Sequence, residues 1–281
     1  MTYENLQKSF LENTAINLEA RESLAVFWIL LFHSNEWSRI QYEMHKKEAV
    51  PSEKQNWFLE ATQRILNGEP VQYITGGAEF YGHTHIVNSC VLIPRPETEE
   101  LVHWIISDQK SFDGHKYLDI GTGSGCIINS LALNLKGVFH GVDVSEKALD
   151  VAKLNSEVLE SEVEFNLKDI LNLKENDLNY DVIVSNPPYI PIKDISEMNR
   201  NVLDYEPEIA LFVSNDDPLI FYKAIIRYGL KNLNKEGVLY FEIHESYKRE
   251  LKVIVEDLDC SFEFRNDMQG KARMLKIWDL V

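Results

Sequence analysis

The stretch KYLDIGTGSGCIINSLALNL, Lys116 to Leu135, decides how the chain is read. An apolar run closes on Asp119 and Ile120, glycines recur at Gly121, Gly123 and Gly125, and a helical pattern begins at Cys126. That order predicts a strand, a tight turn and a helix. The glycines permit backbone angles closed to other residues and let a ligand approach the main chain.

Working outward, the runs VFHGVDV, VEFNLKD, YDVIVSN and VLYFEI read as further strands. Helical patterns such as SEKALDVAKLNSEVL and PLIFYKAIIRYGLKNL separate them, which predicts an α/β domain with a parallel sheet over residues 94–281. Near its end, CSFEFRND and RMLKIWDL are expected to form an antiparallel pair at a sheet edge. Upstream, residues 1–74 read as a small all-α bundle. In RESLAVFWILLFHS the apolar positions nearly encircle the helix, so it is expected at the bundle's buried centre. PSEKQNWFLEATQRILNG places Trp57, Phe58, Ala61, Ile65 and Leu66 on one core-facing side, with Pro51 and Gly68 as its boundaries. Residues 75–93, broken by Gly76, Gly77 and Gly82, are expected to form a hairpin connector. His83 and His85 lie on one face of it; two ligands are too few for a zinc site, and both are read as surface histidines.

Bulk properties narrow the function. With 281 residues, 44% of them hydrophobic, the chain can bury one large core or two smaller ones. A formal net charge of -17 makes nucleic acid a disfavoured partner. Cys90, Cys126 and Cys260 form no CxxC pair, so no metal site or disulfide framework is expected. The start lacks a signal-peptide pattern, and the apolar run Leu24–Phe32 falls short of the roughly 20 residues of a membrane span. A soluble, cytoplasmic protein with no membrane partner is the expectation.

Ligands of a parallel sheet gather at the carboxyl ends of its strands. Those ends carry Asp119, Asp143, Asp169 and Asn186. Asp143 follows the glycine loop at near the roughly 20-residue spacing at which an acid binds ribose hydroxyls. Asp119 before the loop would repel a pyrophosphate and attract an ammonium group, which favours S-adenosylmethionine over a dinucleotide. The fourth strand runs into SNPPYIP, Ser185 to Pro191. Such a loop suits an NH₂ group on a conjugated carbon, a poor nucleophile carrying two N–H donors. The Asn186 side-chain oxygen and the Pro187 carbonyl can accept one hydrogen each, Pro187 and Pro188 offer no competing N–H, and Tyr189 can lie against the flat target.

DIGTGSG, GVDVSEKALDVAKLN and IVSNPPYI resemble the seven-stranded, Rossmann-like S-adenosylmethionine methyltransferases that modify exocyclic or amide nitrogens. GEPVQYITGGAEFYG, VLIPRPETEELV, YEPEIAL and NDMQGKAR resemble, more narrowly, the HemK/PrmC family, which methylates N5 of the glutamine in the Gly-Gly-Gln loop of peptide chain release factors. The resemblance implies S-adenosylmethionine as cofactor and release factors as protein partners, with no metal. It implies a donor site of Asp119, Gly121, Thr122, Gly123, Ser124, Gly125, Asp143, Asp169, Ile170 and Asn186. It further implies substrate binding by Asn186, Pro187, Pro188 and Tyr189, with Asn186, Pro187 and Tyr189 carrying the catalysis. Ile170 stands where some members have an aromatic residue, and FVSNDDPL after YEPEIAL replaces an expected glycine-rich turn. PRPETE, Pro94 to Glu99, is expected to start a helix and to border the substrate entrance, and the N-terminal bundle to recognise the protein substrate. The chief rival is an N6-adenine methyltransferase on DNA or RNA, whose target NH₂ makes the same demand. The acidity and the lack of a Lys/Arg cluster oppose it. A non-catalytic donor-binding protein and a dehydrogenase stand further off.

Overall fold

Residues 1–172 and 179–280 are described by the computed structural model; residues 173–178 and Val281, both inside the expected α/β domain, lie outside them. Chain contacts separate two units, Met1–Gly76 with Asn199–Tyr205, and Gly77–Met198 with Glu206–Val281.

The first unit is helical: α1 (Tyr3–Thr14), α2 (Ala20–Asn35), α3 (Arg39–His45), α4 (Ser52–Leu66) and α5 (Val71–Thr75). Local chemistry sets the boundaries. Thr2 caps α1, Ser38 and Gln41 close a capping box on α3, and α4 runs from Pro51 at its N-cap to a left-handed Gly68 just past its end. The core gathers Tyr3, Phe10, Phe27, Leu30, Phe58 and Ile65. Helix α2 is not buried all round, contrary to its sequence pattern. Phe27, Leu30 and Leu31 are fully enclosed, while Ile29 and Phe32 remain 39% and 59% exposed. The other short helices of this unit do not surround the 16 residues of α2, so one side of it is left uncovered. Gly76 adopts φ 72°, which ends α5.

In the second unit β1 (Gly77–Phe80) and β2 (His83–Ile86) form an antiparallel hairpin. The chain continues through α6 (Pro96–Gln109), β3 (Asp113–Ile120), α7 (Cys126–Asn134), β4 (Lys136–Asp143), α8 (Glu146–Val158), β5 (Val163–Leu167) and β6 (Tyr180–Ser185). Then follow β7 (Ile190–Pro191), α9 (Arg200–Tyr205, counted with the first unit), α10 (Glu208–Leu211), β8 (Phe212–Val213), α11 (Ile220–Asn232), β9 (Leu233–Glu242), α12 (Lys248–Glu256), β10 (Ser261–Asn266) and β11 (Ala272–Trp278). The expected connector hairpin is part of this unit: Asn155 on α8 both donates to the Ile86 carbonyl and accepts its N–H. His85 is a correction too. Period-two alternation turns its ring inward, fully buried and edge-on to Phe80, and burial pushes its pKa down to about 4. It is a neutral core residue, not a surface histidine.

The main sheet has seven strands in the order β10-β11-β9-β6-β3-β4-β5, with β10 and β11 antiparallel as expected. Alternate residues feed two cores. Leu118, Ile183, Leu239 and Phe241 face α11 and α12, while Tyr117, Val182, Val184 and Tyr240 face α6 and α7. Both faces are covered, which explains the near-continuous apolar runs of β6 and β9. Truncating a residue such as Ile183 to Ala would cost about 2–5 kcal/mol. Strand order reverses between β3 and β6, and that switch point opens a crevice at their carboxyl ends.

Candidate active site

The crevice holds a cavity whose space, counted out into the open solvent at its mouth, is about 820 Å³. Its floor is the β3–α7 turn. The N–H groups of Gly121 and Thr122 bond the Val142 carbonyl at 2.9 and 3.0 Å, tying the turn to β4. Ser185 Oγ donates to the Ile120 carbonyl at 2.6 Å and ties the end of β6 to the end of β3. Gly121 and Gly123 line the cavity with φ of 74° and 55°. A Cβ on either would meet nothing within 4 Å, so the open space beside the main chain is available to a ligand.

Asp143, at the end of β4, faces this turn. Its pKa is raised by burial, against the N–H groups of Ser145 and Gly123 that bond the charged form. Those two bonds leave further lone pairs on the carboxylate, enough for a pair of ribose hydroxyls. Asp169 lines the cavity while bonding the Leu171 N–H at 2.9 Å and the Asn172 side chain at 2.6 Å. Ile170, Val144, Ile225 and Phe221 supply apolar wall. Phe221 is an aromatic residue that sequence reading missed, since it sits inside an ordinary helical pattern. An adenosine group with a charged tail fits this set: an acid for the diol, apolar walls for the base, and bare backbone for close approach.

Of the residues expected at the donor site, Gly121, Gly123, Asp143, Asp169, Ile170 and Asn186 meet at the cavity. The cavity lining does not include Asp119, Thr122, Ser124 or Gly125. Asp119 is fully buried on the α7 side of the sheet, because the pleat turns it opposite to Ile120, and it accepts the Thr122 hydroxyl at 2.6 Å. Among the described residues its other oxygen has no hydrogen-bond partner, and burial raises its pKa to about 7. The Ser124 carbonyl accepts from Asn155 Nδ2 at 2.9 Å, and Gly125 caps α7. These residues shape the loop from behind.

Asn186, Pro187 and Pro188 line the cavity. Tyr189 turns inward instead. Its hydroxyl donates to Glu242 Oε1 at 3.3 Å and its ring lies tilted beside His244. Beyond it, β7 pairs in parallel with β8, so the stretch FV of FVSNDDPL is held beside the loop. PRPETE does not line the cavity. Arg95 pairs with buried Glu206, which also accepts the Ile93 N–H, and this pins the start of α10, whose Ile209 and Ala210 do line it. Thr98 Oγ1 donates to Glu242 Oε2 at 2.6 Å and accepts from Asn186 Nδ2 at 3.3 Å. Glu242, 2% exposed at the end of β9, has its pKa raised by burial, against the Thr98 bond and the nearby Arg273. The sequence offered a signal for it, a lone acid closing the apolar run VLYFE at a strand's carboxyl end.

Two family profiles match the chain: one described as PrmC N-terminal domain over residues 7–76, and one described as Methyltransferase domain over residues 111–276. Among curated relatives, the release factor glutamine methyltransferase of Flavobacterium psychrophilum is 36% identical over 99% of both chains. That of Bacteroides thetaiotaomicron is 46% identical over 75% of this chain and 77% of its own. Among solved structures, a methyltransferase from Pyrococcus furiosus superposes with a TM-score of 0.53 at 17% identity, covering 79% of this chain and 99% of that one. The human Mettl16 catalytic domain gives 0.55 at 18%, covering 81% and 82%. At such identities these two structures speak for the fold alone.

Proposed function

We infer the reaction from one premise: the chain belongs to the release factor glutamine methyltransferase family. It is an S-adenosylmethionine-dependent methyltransferase, and the reading favoured over a nucleic-acid substrate is N5-methylation of the glutamine in the Gly-Gly-Gln loop of a peptide chain release factor. One observation carries the substrate chemistry. A carboxamide, Asn186, lines the cavity beside two prolines that offer no N–H.

S-adenosylmethionine, when bound, supplies a methyl carbon made electrophilic by its sulfonium. Asp143 binds the ribose hydroxyls, and the bare backbone at Gly121 and Gly123 admits the donor's tail. Asn186 Oδ1 receives one N–H of the substrate amide and the Pro187 carbonyl receives the other, so the nitrogen lone pair is aimed into the cavity. Positioning of this kind supplies ~7–11 kcal/mol in favourable systems. The two oxygens hold the N–H groups more tightly as positive charge grows on the nitrogen. Tyr189 acts through its anchored ring and borders the loop. The N-terminal unit is assigned to recognition of the protein substrate, since the cavity in the second unit already holds the residues for the chemistry.

The deciding experiment incubates the full chain with a bacterial release factor and labelled S-adenosylmethionine, then sequences peptides by mass spectrometry. One added methyl group on the glutamine of Gly-Gly-Gln is expected. Label found on DNA or RNA, with the release factor unmodified, would overturn the reading.

A further inference from the structure

We propose that Thr98 and Glu242 are a positioning pair that fixes which end of the Asn186 carboxamide faces the cavity, making Asn186 an acceptor toward the substrate nitrogen. The inference rests on the reading of Asn186 as the group that receives a substrate N–H.

A carboxamide ends in an oxygen and an NH₂ of nearly equal size, so shape alone does not choose between its two orientations. The wrong one would point N–H donors at an N–H donor. Something must impose the polarity, and the buried hydrogen bonds behind Asn186 do so in sequence. Glu242 is 2% exposed, and its carboxylate only accepts. Thr98, 3% exposed, has a single hydroxyl proton and gives it to Glu242 Oε2 at 2.6 Å. Its oxygen then has only lone pairs to offer, and Asn186 must meet them with Nδ2, as it does at 3.3 Å. Asn186 Oδ1 is thereby left for the cavity. Turning the amide over would set two oxygens together with no proton between them, against a Thr98 hydroxyl and a Glu242 carboxylate that are both buried.

The surroundings keep Glu242 in its role. Tyr189 gives its hydroxyl proton to Oε1 at 3.3 Å, and Tyr222 bonds the Glu242 carbonyl at 3.1 Å, fixing the strand end. Arg273, held by Asp267 at 3.2 Å, favours the charged carboxylate. So the stretches PRPETE, NPPY and NDMQGKAR, far apart in the chain, converge on one acid.

The test compares Thr98→Val, which keeps the shape and removes the hydroxyl, with Thr98→Ser, which keeps the hydroxyl. Four quantities are read on the full chain. They are steady-state methylation of release factor, calorimetric affinity for S-adenosylmethionine, the thermal midpoint, and hydrogen exchange of the Asn186 side-chain NH₂ by NMR, its signals identified with Asn186→Asp. Loss of one buried hydrogen bond predicts that Thr98→Val lowers kcat about ten-fold or more and speeds Asn186 NH₂ exchange about ten-fold. Donor affinity and the KM for release factor should stay within about three-fold, and Thr98→Ser should restore kcat and exchange to a similar margin of wild type. A Thr98→Val protein with unchanged kcat and exchange, or a Thr98→Ser protein as impaired as Thr98→Val, would overturn the pair. Failure of the wild type to methylate any release factor would instead refute the proposed substrate, and the exchange measurement would still decide the orientation of Asn186.

Discussion

Asp143 Oδ2 accepts the Gly123 N–H at 2.9 Å, while its Oδ1 accepts the Ser145 N–H at 2.9 Å. One carboxylate therefore spans the glycine turn and the start of α8, and still has lone pairs to give. Replacing it by Ala should weaken S-adenosylmethionine by about 10–100-fold, the scale of one or two charge-assisted hydrogen bonds. Isothermal calorimetry reads the change directly. Unchanged affinity would remove Asp143 from the ribose role.

The turn itself offers a cleaner steric test. At Gly123 a Cβ would project into open space at φ 55°, toward the volume assigned to the donor. Gly123→Ala should thus cost only about 1–2 kcal/mol of stability through the left-handed backbone. Donor binding should suffer far more than folding does. A variant that binds the donor normally would place the donor elsewhere in the cavity.

Asp119 connects burial to pH. Its folded pKa of about 7 lies above the ordinary carboxylate value, with desolvation the main cause and the charge of Asp143 adding to it. The folded protein accordingly holds a proton that the unfolded chain has already lost between pH of about 4 and 7, so this group's contribution to stability falls as pH rises through that window. Above about pH 7 the cost is fully present. Asp119→Asn, which can still accept the Thr122 hydroxyl, should raise the ligand-free melting midpoint by roughly 4–8 °C at pH 8, for a gain of about 2 kcal/mol. The gain should vanish near pH 4. The same substitution removes a negative charge from beneath the donor loop and should weaken the cationic donor. Equal midpoints for both proteins at pH 8 would show that Asp119 carries no such burden.

Asn186 tests the chemistry apart from the cofactor. Asn186→Ala removes an acceptor from the cavity wall and should lower kcat by about 100-fold or more, as loss of one preorganised polar group does in other active sites. Donor affinity should fall much less, because the ribose acid and the apolar wall remain. A near-normal rate would sink the assignment.

Much of the fold is legible in the sequence alone. Period-two and helical runs gave the strands and crossovers, because both sheet faces are buried and β6 and β9 tolerate little else. The glycine turn and SNPPYIP were legible because their backbone demands are carried by residue type. What escaped depended on contacts between distant segments. That Thr98 and Tyr189 share Glu242 depends on pairings between distant segments that the local sequence VLYFE does not encode. His85 looked exposed because sequence does not say which hairpin face is covered. Asp119 was expected beside the donor, yet the pleat turns it behind the loop. The grouping of Asn199–Tyr205 with the first unit, where Tyr205 bonds the Asn67 carbonyl at 3.2 Å, has no local signal at all.

The uncovered side of α2 gives the first unit its own test. Ile29 and Phe32 lie one turn apart, 39% and 59% exposed, where a helix of this composition would ordinarily bury both. If this unit recognises the release factor, apolar residues standing in water are the natural contact, and replacing them should leave folding almost untouched. Ile29→Ser combined with Phe32→Ser should keep the melting midpoint within a few degrees, since neither residue belongs to the core. The KM for intact release factor should rise about ten-fold, with kcat and donor affinity unchanged. Methylation of a short Gly-Gly-Gln peptide, which is too small to use a remote contact, should be indifferent to the substitutions. A double variant whose KM for the intact protein matches wild type would move recognition to another face.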